Sequence, residues 1–262
     1  MTHLVRAELR KITSTRLWWG LLIGALLYTA VNAAATAGFA GVDPGAGQPT
    51  SPGLDSAEAI RSVYAGAAFA GTYIFALILG ITGMTTEYRY QTITPTFLVS
   101  PRRGRVVGAK MAAHVLVGLV FGLLALVAAF VAGAVVIVIR GHGLGLGADR
   151  LWSTMALAVV AVGIWTLVGI GIGTLIRNQI AAILIGVFIT FLLEPLMTLL
   201  LRALDLDAVA KWLPTNASTA LISPGETFID YLQWWAGGLV LLGYAALFAA
   251  LGLVLSTRRD IS

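Results

Sequence analysis

The stretch FLLEPLMTLL, residues 191–200, sets one carboxylate, Glu194, beside Pro195 in an otherwise apolar run. A carboxyl in such surroundings can carry a proton, shape a transport pathway or gate, or hold a buried hydrogen bond. An ionised side chain at mid-bilayer costs about 2.5–3.5 kcal/mol on insertion scales, so Glu194 should face protein or water. Pro195 frees a backbone carbonyl and is expected to kink its helix. Tyr28, Asn32 and Thr190 are further candidates for polar contact with a substrate, and each is equally well explained by hydrogen bonds between helices.

Other chemistry is hard to place. His3, His114 and His142 are scattered, with no carboxylate or second histidine at metal-ligand spacing. The chain has no cysteine, which excludes disulfides and thiolate metal sites. No G-x-x-x-x-G-K-[ST] loop occurs, and the glycines of GHGLGLGADR (141–150) read as a flexible turn. No Ser/His/Asp constellation can be argued. We therefore assign no catalytic, cofactor-binding or metal residue, and if the protein does work its energy enters elsewhere.

The elements that position these residues follow from composition. Of 262 residues 58% are hydrophobic and only 11% charged, with a mean hydropathy of +0.91. A soluble domain runs near 45–50% apolar and about 25% charged. The solvent must be lipid. A span needs roughly 20 mainly apolar residues, and six segments qualify: 17–38, 62–84, 107–139, 151–176, 180–201 and 234–256. The first is long enough to cross, so we read it as an uncleaved span and not a signal peptide. The third is over-long and should begin as a surface helix. The apolar runs are continuous, not alternating, which argues against a β-barrel. The expected class is all-α: a single polytopic membrane domain, residues 1–262, with six transmembrane helices.

Residues 1–16 read as an amphipathic interfacial helix. Val5, Leu9 and Ile12 share one face, while Arg6, Glu8, Arg10 and Lys11 take the others. Trp18 and Trp19 then fall at the lipid–water boundary. Six spans put both termini on one side, together with Arg177 and residues 87–105. That side holds Arg6, Arg10, Lys11, Arg16, Arg89, Arg102, Arg103, Arg105, Lys110, Arg177, Arg258 and Arg259, against Arg61, Arg140, Arg150, Arg202 and Lys211 opposite. The positive-inside rule places both termini in the cytoplasm. The charge balance of +5 is thus assigned to membrane orientation and not to nucleic acid.

One basic island interrupts this pattern: EYRYQTITPTFLVSPRRGRVVGAK, Glu87 to Lys110. Its centre is apolar. Thr92 or Thr94 can cap a short helix with Pro95 in its first turn. Ile93 and Phe97, four apart, share a face with Leu98 beside it, and Ser100-Pro101 stops the helix. Two turns have too little area to fold alone. Such a helix lies on lipid or docks into a partner.

The order of elements resembles the ABC-2 type permeases, membrane subunits of ATP-binding-cassette exporters. The resemblance covers the whole chain. AELRKITSTRLWW is similar to the family's connecting helix, the Glu87–Lys110 island to its coupling loop, and GTLIRNQIAAILIG to its tight turn between spans four and five. It implies a cytoplasmic coupling helix between spans two and three, in which Ile93, Phe97 and Leu98 enter a groove of the ATPase while Glu87 and Arg102 fix the loop geometry. It also implies two ATPase subunits that bind ATP and Mg, a second permease (identical or paralogous), and a bacterial plasma membrane. The loop 202–233 is expected to form lid-like helices at the outer face. The cargo class would be an amphipathic or hydrophobic small molecule, peptide or lipid. Two rivals are a proton-coupled secondary transporter using Glu194 and a non-transporting scaffold or sensor. The repeated halves and paired broken helices of secondary transporters are not visible in the sequence.

Overall fold

The computed structural model describes residues 2–43, 51–91, 103–222 and 232–259, with side chains described at all of these except 103–107 and 252–259. Among the described residues every regular element is helical. An arm helix, Thr2–Ser14, precedes a first span, Arg16–Phe39. The second span is Ala57–Arg89, and the third is a continuous helix, Arg103–Ile139. The fourth and fifth, Leu151–Leu175 and Gln179–Ala203, are joined by a three-residue turn closed by Asn178, whose Oδ1 accepts from Ala181 N at 3.1 Å. Two short helices, Asp207–Ala210 and Pro214–Ile222, precede the sixth span, Trp234–Arg259. The class is the one expected: all-α, with six helices long and apolar enough to cross a membrane.

The spans are not equivalent. Spans two and four are 67% and 61% buried over their most apolar windows, against 22–28% for the rest. They form the central pair. Spans one and three pack together on one side of it, and span six lies along span four. The outer spans keep large side chains such as Leu27, Val31, Leu123, Phe191 and Leu199 exposed. In water that surface would aggregate, whereas in lipid it costs nothing.

The central pair is close because glycine faces backbone. A methyl group at Gly80 would overlap Thr166 O, and one at Gly169 would overlap Leu77 O. The pair Gly169 and Gly173, spaced for close helix approach, thus serves packing inside the chain, where Gly173 sits against Ile81 and Met84.

Two π-turns interrupt the spans, Ser62–Gly66 in the second and Ile189–Leu193 in the fifth. The latter ends immediately before Glu194. Such a turn carries one extra residue and rotates the helix beyond it. Pro195, where a kink was expected, stands in the first turn of the regular helical stretch Glu194–Ala203 that follows this π-turn.

Gly169→Ala should therefore destabilise the purified chain by about 1–3 kcal/mol through overpacking. Gly243→Ala, where an added Cβ meets nothing within 4 Å, should stay within about 0.5 kcal/mol. Thermal unfolding in detergent, compared across the two variants, checks this.

Candidate functional site

The arm helix does not simply float on a surface. Ile12 is buried, and Val5 and Leu9 pack against the core formed by the spans. Trp18 Nε1 donates to Thr13 O at 2.9 Å, stitching the first turn of span one back to the arm. On the packed face stands a charge: Glu8 is only 5% exposed. The sequence pattern assigned Glu8 to the polar faces, and the structure corrects this.

Glu8 is tolerated there because its charge is matched. Its Oε1 lies 2.6 Å from Lys11 Nζ and its Oε2 lies 2.7 Å from Lys110 Nζ. Glu87 Oε1 lies 2.9 Å from Lys110 Nζ and 3.2 Å from Lys11 Nζ. Each lysine thus touches both carboxylates, and the ring of four is neutral. Lys110 Nζ also donates to Gly83 O at 3.2 Å. Burying Glu8, Glu87 or Lys110 alone would be strongly unfavourable, and together with half-exposed Lys11 they satisfy each other.

Burial by itself would raise the Glu8 pKa, but Lys110 and Lys11 outweigh it and hold the carboxyl below its usual 4.5. Burial would likewise lower Lys11, and its contacts with Glu8 and Glu87 raise it above 10.5 instead. The contribution of Glu8 is therefore present above the ordinary carboxylate value and lost as pH falls through its lowered pKa. That of Lys11 is present below the ordinary lysine value and lost as pH rises through its raised pKa.

One turn beyond Lys110, the ring of His114 is buried against span two. Its Nδ1 lies 2.9 Å from Lys110 O. A carbonyl can only accept, so Nδ1 carries a proton, and Nε2 has no hydrogen-bond partner among the described residues. The ring has room only because residue 83 is glycine: any Cβ there would overlap it. Gly83 and Glu87 on span two thus face Lys110 and His114 on span three, each pair one turn apart.

The cluster closes both ends of the basic island. Glu87 and Lys110, 23 positions apart in the sequence, are its first and last residues and are in contact. Ile93, Phe97, Leu98 and Arg102 lie outside the described residues.

On the opposite face, Glu194 has a different solution. It is 5% exposed, and Oε2 accepts from Thr215 N at 2.8 Å and from Thr215 Oγ1. Thr215 is the second residue of the helix Pro214–Ile222. The carboxylate therefore caps that helix, where free N–H groups and the helix dipole favour negative charge. Pro214 suits the first position because it has no N–H to satisfy. The same helix is held by Trp165 Nε1 donating to Ser218 Oγ at 2.9 Å, and by Asn216 Nδ2 donating to Thr198 Oγ1 at 3.0 Å and Ala210 O at 2.8 Å. Thr190, buried one turn before Glu194, donates to Gly186 O at 2.8 Å. Tyr28 is exposed on span one and Asn32 half-buried one turn further. The ring of Tyr73 on span two meets Trp165 on span four at 5.1 Å. Thr215, Ser218 and Trp165 carry no motif and give no signal in the sequence. Among the described residues no three His, Asp or Glu gather as a metal site.

A family model described as "ABC-2 family transporter protein" matches residues 4–193. No curated protein matches the chain. The matched stretch contains all four charges of the cluster and stops one residue before Glu194.

Lys110→Met should leave two buried carboxylates sharing Lys11 and cost about 3–5 kcal/mol. The double variant Glu87→Gln/Lys110→Met should cost less than that single one. The stability carried by Glu8 and Lys11 should be flat between about pH 5.5 and 9.5 and fall outside that range, as read by thermal unfolding of the detergent-solubilised chain across pH.

Proposed function

The chain belongs to the ABC-2 transporter family, and from that membership we propose that it is the membrane permease of an ATP-driven exporter. Permease of an ABC transporter and multi-pass membrane protein are the family's own properties. The finer reading is ours. Two ATPase subunits, holding ATP and Mg, dock on the face that carries the arm, which is cytoplasmic together with both termini. A second permease, identical or paralogous, completes the pathway in a bacterial plasma membrane. Alternating access moves an amphipathic or hydrophobic small molecule, peptide or lipid outward.

The observation that supports this most is the contact of Glu87 and Lys110 across the base of the island, with Glu8 and Lys11 of the arm joined to it. A loop that took force from an ATPase would need its two ends fixed to the spans and to the arm. Ionic contacts in a low-dielectric setting provide that stiffness. Ile93, Phe97 and Leu98 then form the face that enters the ATPase, with Arg102 at its rim. Glu194 already holds Thr215 and the far-face helix, which favours a structural or gating role over proton carriage.

In proteoliposomes containing the permease and its ATPase, Phe97→Asp should lower ATP-dependent transport at least ten-fold while leaving insertion and thermal stability unchanged, about the effect of a charge forced into an apolar groove. Wild-type transport by this variant would remove the island from coupling. Arg102→Cys should resist an impermeant thiol reagent applied outside intact cells, and reaction there would invert the orientation.

Glu194→Gln retains an acceptor for Thr215, so transport should persist and should survive a protonophore. Glu194→Leu should cost about 1–3 kcal/mol by leaving that end of the helix unsatisfied. Loss of transport in Glu194→Gln, together with dependence on the proton gradient, would favour the secondary transporter.

A further inference from the structure

The arm helix, the first turn of span one and the arm-side ends of spans two, three and five line an open-sided cavity of about 1060 Å³. Small-molecule sites run to about 1,000 Å³, so this space is large for a chain of this size. Leu4, Ile12, Leu17 and Leu79 give it apolar walls. Glu8, Lys11 and Glu87 also line it, but with Lys110 they form a ring whose charge is already balanced. Two further cations stand in the lining, Arg16 and Arg89, and both are exposed. Arg89 donates to Gln179 Oε1 at 3.3 Å and lies over the Tyr90 ring. Among the described residues neither arginine has a carboxylate partner. The cavity therefore joins apolar walls to two exposed arginines that have no carboxylate partner among the described residues, and Trp18, a side chain suited to the lipid–water boundary, lines it too.

We propose that this cavity binds an anionic phospholipid from the adjoining leaflet, with its headgroup on Arg16 and Arg89 and its acyl chain along Leu17, Ile12 and Leu79. Basic pockets between helices at the cytoplasmic surface suit such headgroups. A guanidinium gives a phosphate two parallel hydrogen bonds, which favours it over a purely apolar occupant. The lipid fills the space between the arm and the spans and so steadies the arm against the charge cluster. The inference uses the orientation proposed above only to say that the leaflet is the cytoplasmic one.

The test is lipid binding by the full chain, purified in detergent without its ATPase and followed by native mass spectrometry. Phosphatidylglycerol and phosphatidylcholine of matched chains serve as probes. The wild type should prefer phosphatidylglycerol by on the order of ten-fold or more, since each arginine near the headgroup adds about five-fold. Arg16→Gln/Arg89→Gln should abolish the preference and Arg16→Lys/Arg89→Lys should keep most of it. Ala7→Trp, which fills the cavity from its exposed lining, should reduce uptake of both lipids. Soluble glycerol phosphate should not displace the bound lipid. Equal uptake of the two lipids, a preference that survives in the Gln variant, undiminished binding in Ala7→Trp, or displacement by glycerol phosphate would each overturn the proposal. None of these results depends on transport, so the proposed export activity stands or falls separately.

Discussion

Charge buried in a membrane protein must be balanced on the spot, and the arrangement of Glu8, Lys11, Glu87 and Lys110 obeys that constraint. The four come from the arm, the end of span two and the start of span three. Glu8, Glu87 and Lys110 are buried and none of the three is comfortable without the others, while half-exposed Lys11 closes the ring from the solvent side. The ring therefore fixes three segments relative to each other more firmly than apolar packing of a short helix could. Apolar contact is non-directional and tolerates sliding, whereas a ring of short ion pairs in a poorly polarisable setting specifies position. The neighbouring fit of His114 against Gly83 adds a steric stop to the electrostatic one.

The far face meets the same constraint with other means. Glu194 has no lysine, and its carboxylate is instead given the N–H and hydroxyl of Thr215 at a helix start. The two solutions differ in consequence. An ion ring ties together elements distant in sequence, while a cap ties one span to a short helix just beyond it in the chain. The π-turn before Glu194 aims that carboxylate, and the helix Pro214–Ile222 is further fixed to span four through Trp165 and Ser218. On the proposed reading, the arm face receives force and the far face responds to it. Between them lie the closely packed spans two and four, whose glycine contacts leave little room for relative sliding.

Much of this was legible because lipid demands long continuous apolar runs, and six such runs are plain to read. The arm was equally plain from the spacing of Val5, Leu9 and Ile12. What periodicity cannot reveal is a partner distant in the chain. Glu8 was assigned to a polar face because nothing near it in sequence announces Lys110, 102 positions away. Glu87 drew attention through its place at the head of the island, yet its contact with Lys110 became visible only in three dimensions. The spacing of Gly169 and Gly173 permits close helix approach, yet nothing in it announces Gly80 as the glycine opposite. Glu194 stood out by being charged in an apolar run, and Thr215 had no local signal at all. Ile93, Phe97, Leu98 and Arg102 rest on the sequence, since they lie outside the described residues.

The central claim is that the ion ring, and not apolar contact alone, holds the arm to the base of the island. The native chain has no cysteine, so spin labels at Arg10→Cys on the arm and Tyr90→Cys at the end of span two report on that attachment alone. Both positions are exposed. Pulsed electron-spin distance measurement in lipid nanodiscs should give one narrow distribution in the otherwise native chain and a broad one once Lys110 is replaced by methionine. A broad distribution in the native background, or one left narrow by that replacement, would contradict the account.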